Sequence, residues 1–214
     1  MSRLYLIGAA SLAALALAAC GDNVDMADTT GTMNDDPAMS DTTIDTAANT
    51  GANAEAAIRE GQNFVNAAGQ AGIVEIRTSE MALEKAQSPE VKAFAQKMID
   101  DHTAANEKLM AAATAAALAP PPATLDDFHM RRINDLVEND GDEDFDADYM
   151  ALQVDAHNDV IGVLEGYSGD SDAIPQLKMF ADETLPTIRA HKADAERIRD
   201  MIKDDDTSST ANPS

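Results

Sequence analysis

Three histidines stand at helical spacing among apolar residues of this 214-residue chain. His102 follows Phe94 and Met98 and precedes Ala105 and Leu109; His157 lies between Val154 and Ile161; His191 lies between Ile188 and Ala195. Glu75 has the same setting, amid Ala68, Ala71, Thr78 and Ala82. Positions three and four apart share one face of a helix, so each side chain is expected on the inward stripe of a different helix. Imidazole and carboxylate converging inside a helical bundle suit zinc, iron, copper or manganese. Glu75, His102, His157 and His191 are therefore candidate ligands of one transition-metal ion. The competing expectation is a polar cluster that fixes helix register, with the histidines bonding one another, Asp101, Asp155 or Tyr149. A carboxylate-bridged di-metal site finds less support. It needs Glu-x-x-His on two helices, and the residues three before the histidines are Ile99, Val154 and Ile188.

No catalytic residue is nominated. There is no Gly-x-Ser-x-Gly elbow and no Gly-rich phosphate loop. Asp100-Asp101 and Asp142-Glu143-Asp144 read as solvated or capping runs. Eleven methionines are spread at core-like spacing or fall in the N-terminal segments, which favours gap-filling over copper binding. His129 lies apart from the other three and is assigned nothing.

The elements that must carry these residues are helices. The first is expected over Asn53 to Gln87, with Gly69 and Gly72 weakening it. Ser88-Pro89-Glu90 starts a second: a capping hydroxyl, a proline at the first helical position and an acid near the positive end of the dipole. It runs to about Leu118, and Pro120-Pro121-Pro122 stops it. A shorter helix spans about Leu125 to Glu138, and Asn139-Asp140-Gly141-Asp142 breaks it. The third main helix carries Tyr149, Gln153, His157 and Leu164 and ends near Gly166 to Gly169. The fourth starts after Asp172 and runs to about Lys203, with Pro186 expected to kink it. No alternating pattern of strands occurs, so the fold class is all-α. A long join after the second helix makes the second and third parallel, the one-crossover topology of a ferritin-like four-helix bundle with a short extra helix in the crossover.

Axial position tests the candidate site. At about 1.5 Å per residue, Glu75 lies roughly 19 Å before the first hairpin and His102 roughly 21 Å after it. His157, placed in a helix parallel to that of His102, is level with it. His191 fits worse, about two turns too far beyond the second hairpin, where Glu183 is level instead.

The chain ends speak to location. Arg3, the apolar run Leu4 to Ala19 and Leu17-Ala18-Ala19-Cys20 form a short secretory signal whose end resembles the bacterial lipobox. Cys20 is the only cysteine and the expected lipidation site. The expected segments are a lipoprotein signal peptide over 1–19, an acidic disordered linker over 20–54, a helical bundle domain over 55–203 and a disordered tail over 204–214. Gly21 after the cysteine favours an outer-membrane lipoprotein facing the periplasm. With 15 Lys+Arg against 39 Asp+Glu the net charge is −24, which excludes a nucleic-acid partner.

Residues 60 to 200 resemble the bacterial family of domain of unknown function 4142, often called outer-membrane proteins. The resemblance rests on Phe64-Val65, Glu75-Ile76, Val91 through Met98, Asp100-Asp101-His102-Thr103, Asn106, Phe145-Asp146, Tyr149, His157, Leu185-Pro186 and His191. It implies a ferritin-like helical bundle and no established reaction. The sequence thus points first to a non-enzymatic, lipid-anchored bundle with a binding, structural or envelope-stress role. Its partners would be the membrane, through the anchor, and an envelope protein. A metal-binding protein using the His/Glu set is the alternative. A ferritin-like metal oxidase comes third.

Overall fold

In the computed structural model, residues 42–138 and 145–210 are described, with side chains over 51–138 and 145–204. The signal segment 1–19, Cys20, residues 21–41, the break at 139–144 and the last four residues lie outside the described residues. Five helices and no strand occur among those described: α1 (Thr42–Lys85), α2 (Pro89–Ala115), α3 (Asp127–Glu138), α4 (Phe145–Gly169) and α5 (Pro175–Thr210).

Helical structure extends past the boundaries drawn from composition at both ends. α1 begins inside the expected 20–54 linker and α5 runs into the expected 204–214 tail. Once a packed helix exists, adding a residue costs little, so short polar stretches continue it. α5 also runs unbroken through Pro186.

Local chemistry fixes the ends of α2. The Ser88 hydroxyl accepts from the backbone N–H of Glu90 and Val91 at 3.2 and 3.4 Å, with Pro89 as the first helical residue. At the far end Ala117 has φ of 56°, while the N–H groups of Leu118 and Ala117 bond the carbonyls of Ala113 and Thr114 at 2.9 and 3.0 Å. This is a Schellman closure with alanine where glycine is usual.

α1 and α2 form one hairpin and α4 and α5 another; α2 packs on α5 and α1 on α4. The Asp146 carboxylate, at the start of α4, accepts from the backbone N–H of Gln87 and Ser88 at 3.0 and 2.7 Å. The starts of α2 and α4 therefore share one end of the bundle, and these helices run parallel, as a ferritin-like crossover requires. The connecting α3 crosses α1 and α4, held by Arg132 on Asp159 at 2.8 Å. The glycines of α1 permit close approach. A β-carbon on Gly72 would strike the Asn106 side chain, and one on Gly69 the ring of Pro121.

Two apolar clusters fill the interior. One joins Ala82, Val91, Met98, Tyr149, Val154 and Ile198 near the α2 start; the other joins Val65, Leu109, Leu164, Leu177 and Ile188 toward the opposite end. Between them lies a polar layer of Glu75, Thr78, Ser79, His102, Gln153, His157 and His191, all buried. Burying so many polar groups is costly unless each has a partner, so their hydrogen bonds decide what this layer is for.

Candidate metal centre

Each main helix contributes to the polar layer from its inward face. α1 supplies Glu75, Thr78 and Ser79; α2 supplies His102; α4 supplies Gln153 and His157; α5 supplies His191. Part of the layer is satisfied internally. Ser79 and Tyr149 hydroxyls are 2.8 Å apart, and Thr78 Oγ1 donates to the Val74 carbonyl at 2.9 Å. Burial holds the Tyr149 phenol well above its usual range, so it remains a neutral hydrogen-bonding group.

The histidines form a near-equilateral triangle. Ring centroids are 5.7 Å apart for His102 and His157, and 5.5 Å for each other pair. One nitrogen from each ring can be chosen so that all lie within 4.8 Å of one another. His157 Nδ1 lies 2.8 Å from the Gln153 carbonyl, and His191 Nε2 lies 2.8 Å from Asp101 Oδ2. Both contacts require the imidazole nitrogen to carry the proton, because carbonyl and carboxylate only accept. His157 Nε2 and His191 Nδ1 are then left with lone pairs. Those two atoms and His102 Nε2 are buried and without a hydrogen-bond partner. Three imidazoles, each with an unpartnered buried nitrogen, meet at one level of the bundle.

Their electrostatics favour the neutral, ligating form. Burial lowers His102 from 6.5 to about 3, with His157 and His191 adding to the effect. Burial also lowers His191 to about 4, against the opposing hydrogen bond from Asp101. Burial would raise Asp101, yet hydrogen bonds from Lys97 and His191 outweigh it and hold the carboxyl below its usual value. Asp101 is thus an ionised carboxylate behind His191, the arrangement that orients ligating histidines and raises their basicity.

Glu75 occupies a different place from the histidine nitrogens that face one another. Its Oε1 is 3.9 Å from His157 Nδ1, the nitrogen already bonded to Gln153, and Glu75 does not join the three-residue group. Burial raises its pKa, partly offset by His157, Gln153 and Arg132. His129, assigned nothing from sequence, bonds Asp126 at 2.7 Å at the start of α3.

The axial misfit of His191 shrinks. The connection before α5 consumes the residues between Gly169 and Pro175, so His191 lies sixteen residues into α5 and His157 twelve before the end of α4. The remaining offset is about one turn, within the reach of helix inclination and imidazole length. Glu183 is instead exposed, lining a cavity of about 130 Å³ between α2 and α5 that also touches His102 and His191. The supporting carbonyl of Gln153 escaped sequence reasoning, although a residue four before an inward histidine is the natural backbone acceptor.

Residues 46–198 match the family described as Domain of unknown function (DUF4142). No curated protein and no solved structure matches the chain. The matched stretch spans α2 and α4 and most of α1 and α5, with every histidine of the triangle, and the chain belongs to the DUF4142 family.

Proposed function

We propose that this protein binds one divalent transition-metal ion through His102, His157 and His191 inside its helical bundle. The single observation carrying this reading is the cluster of three buried imidazoles: one nitrogen from each ring lies within 4.8 Å of the others, and each ring has a buried nitrogen without a partner, His102 Nε2, His157 Nε2 and His191 Nδ1. A cluster serving only to fix helix register would pair these nitrogens with one another or with protein groups, since an unsatisfied buried polar atom costs about 1–3 kcal/mol. An ion satisfies all of them together. His102, His157 and His191 would hold such an ion, whose bonds to imidazole nitrogen are about 2.0–2.1 Å. Imidazole donors without thiolate suit zinc(II) and copper(II). Carboxylate-bridged di-metal chemistry lacks its glutamates, which argues against the oxidase reading.

The setting we propose is the periplasmic side of the outer membrane, with the bundle tethered by lipid on Cys20. The motif Leu17-Ala18-Ala19-Cys20 supports it. Two or more acyl chains would hold the protein stably, each buried CH₂ contributing about 0.8 kcal/mol.

Calorimetric titration of the full chain with zinc(II) tests the metal reading. Saturation at one ion per chain, with affinity lost in His157→Gln, is the expected result. A titration without heat, or one unchanged in His157→Gln, contradicts it.

A further inference from the structure

Three imidazoles do not complete a tetrahedral ion, and what stands at the fourth position decides whether such a site is closed or reactive. Among the described residues, no fourth His, Cys, Asp or Glu joins the group. The neighbouring carboxylates reach nitrogens other than the unpartnered ones: Glu75 lies 3.9 Å from His157 Nδ1, and Asp101 2.8 Å from His191 Nε2. Neutral imidazoles bring a divalent ion no charge from its ligands, so the fourth position can take an anion.

The α2–α5 cavity offers a route for one. Its wall includes both His102 and His191, and Lys108, Thr184 and Thr187 line it beside the carboxylates of Asp101 and Glu183. Lys108 is exposed, and the hydroxyl-bearing residues give the lining hydrogen-bonding groups. A smaller void of about 20 Å³, roughly the room for one water, adjoins His102 and shares Ala105, Thr184 and Ile188 with that cavity.

We infer that the ion keeps an open coordination position toward the α2–α5 cavity and accepts there a small anion, such as hydroxide, azide or a short carboxylate. This rests on the metal reading above. The exchange is a ligand substitution: a lone pair of the anion forms the new bond to the ion, and a bound water leaves with its own electron pair. No electron is transferred, and Lys108 offsets the repulsion of Asp101 and Glu183 for an anion at the cavity mouth.

Cobalt(II) loading of the full chain, followed by azide titration of its visible ligand-field bands, tests the inference. The expected result is one cobalt per chain and a saturable band shift with azide. In Lys108→Gln, cobalt is retained and azide binds about threefold more weakly, the scale of one exposed charge. Cobalt that depends on the histidines but whose bands do not respond to azide overturns the open position and leaves the metal reading standing. An azide affinity unchanged in Lys108→Gln overturns the assignment to the α2–α5 cavity. Failure to bind cobalt overturns the metal reading, and this inference with it.

Discussion

Asp101 Oδ2 lies 2.8 Å from His191 Nε2, joining a carboxylate on α2 to an imidazole on α5. The same carboxylate oxygen is 2.6 Å from Lys97 Nζ, so one group orients the histidine and draws a surface cation. The contact selects the tautomer in which His191 Nδ1, buried and without a hydrogen-bond partner, keeps its lone pair.

Asp101→Ala is expected to weaken zinc binding about tenfold to a hundredfold, the usual scale for removing a carboxylate behind a ligating histidine. The metal-free chain should unfold at nearly the same denaturant midpoint, because Asp101 is 38% exposed and water from the adjoining cavity can bond His191. Competition with a zinc indicator and urea titration measure the two quantities. Equal zinc affinity in the variant and the parent chain would show that the contact has no part in holding an ion.

Acid should destabilise the metal-free chain over a defined window. His102 and His191 take up protons at about 3 and about 4 when folded, against 6.5 ordinarily. The unfolded chain therefore binds more protons between those values, and stability rises with pH there. As pH falls from 6.5 toward the folded values the stabilisation is lost, at up to about 1.4 kcal/mol per pH unit for each histidine. Glu75, raised from 4.5, acts in the opposite sense above that pH and makes the net slope shallower. Thermal melts with chelator should show a falling midpoint from about pH 7 to about pH 5, flattened in His102→Gln.

Much of this arrangement was legible beforehand because helical periodicity and local punctuation share one cause. Ser88-Pro89 satisfies the free N–H groups at the start of α2, so its capping geometry could be read from residue types alone. The inward placement of His102, His157 and His191 followed from their spacing against Met98, Val154 and Ile188. The role of Glu75 did not. Spacing gives a residue's face but not which side of a neighbouring ring its carboxylate reaches, and Glu75 lies by the engaged nitrogen of His157. The level of His191 depended on how many residues the connection before α5 consumes, a property of loop geometry that periodicity does not encode.

Ala117→Gly is expected to stabilise the fold by about 0.5–1 kcal/mol. Ala117 holds φ of 56° in the closure of α2, a conformation that a β-carbon disfavours and glycine adopts freely. The gain should appear as a higher urea midpoint at unchanged slope. A lower midpoint would mean that the added freedom of the unfolded chain outweighs the relieved strain.

Cys20→Ser is expected to release the protein from membranes into the soluble periplasmic fraction and to abolish acyl labelling. Membrane association and labelling that persist in the variant would contradict lipid attachment at this cysteine.

The most direct test of the metal centre is elemental analysis of the full chain purified without chelator, beside a variant carrying His102→Gln, His157→Gln and His191→Gln. The account predicts about one transition-metal ion per parent chain and none in the variant, with zinc or copper as the element found. Metal absent from both, even after incubation with zinc, copper, iron and manganese, would contradict it and leave the histidines as polar contacts of the core.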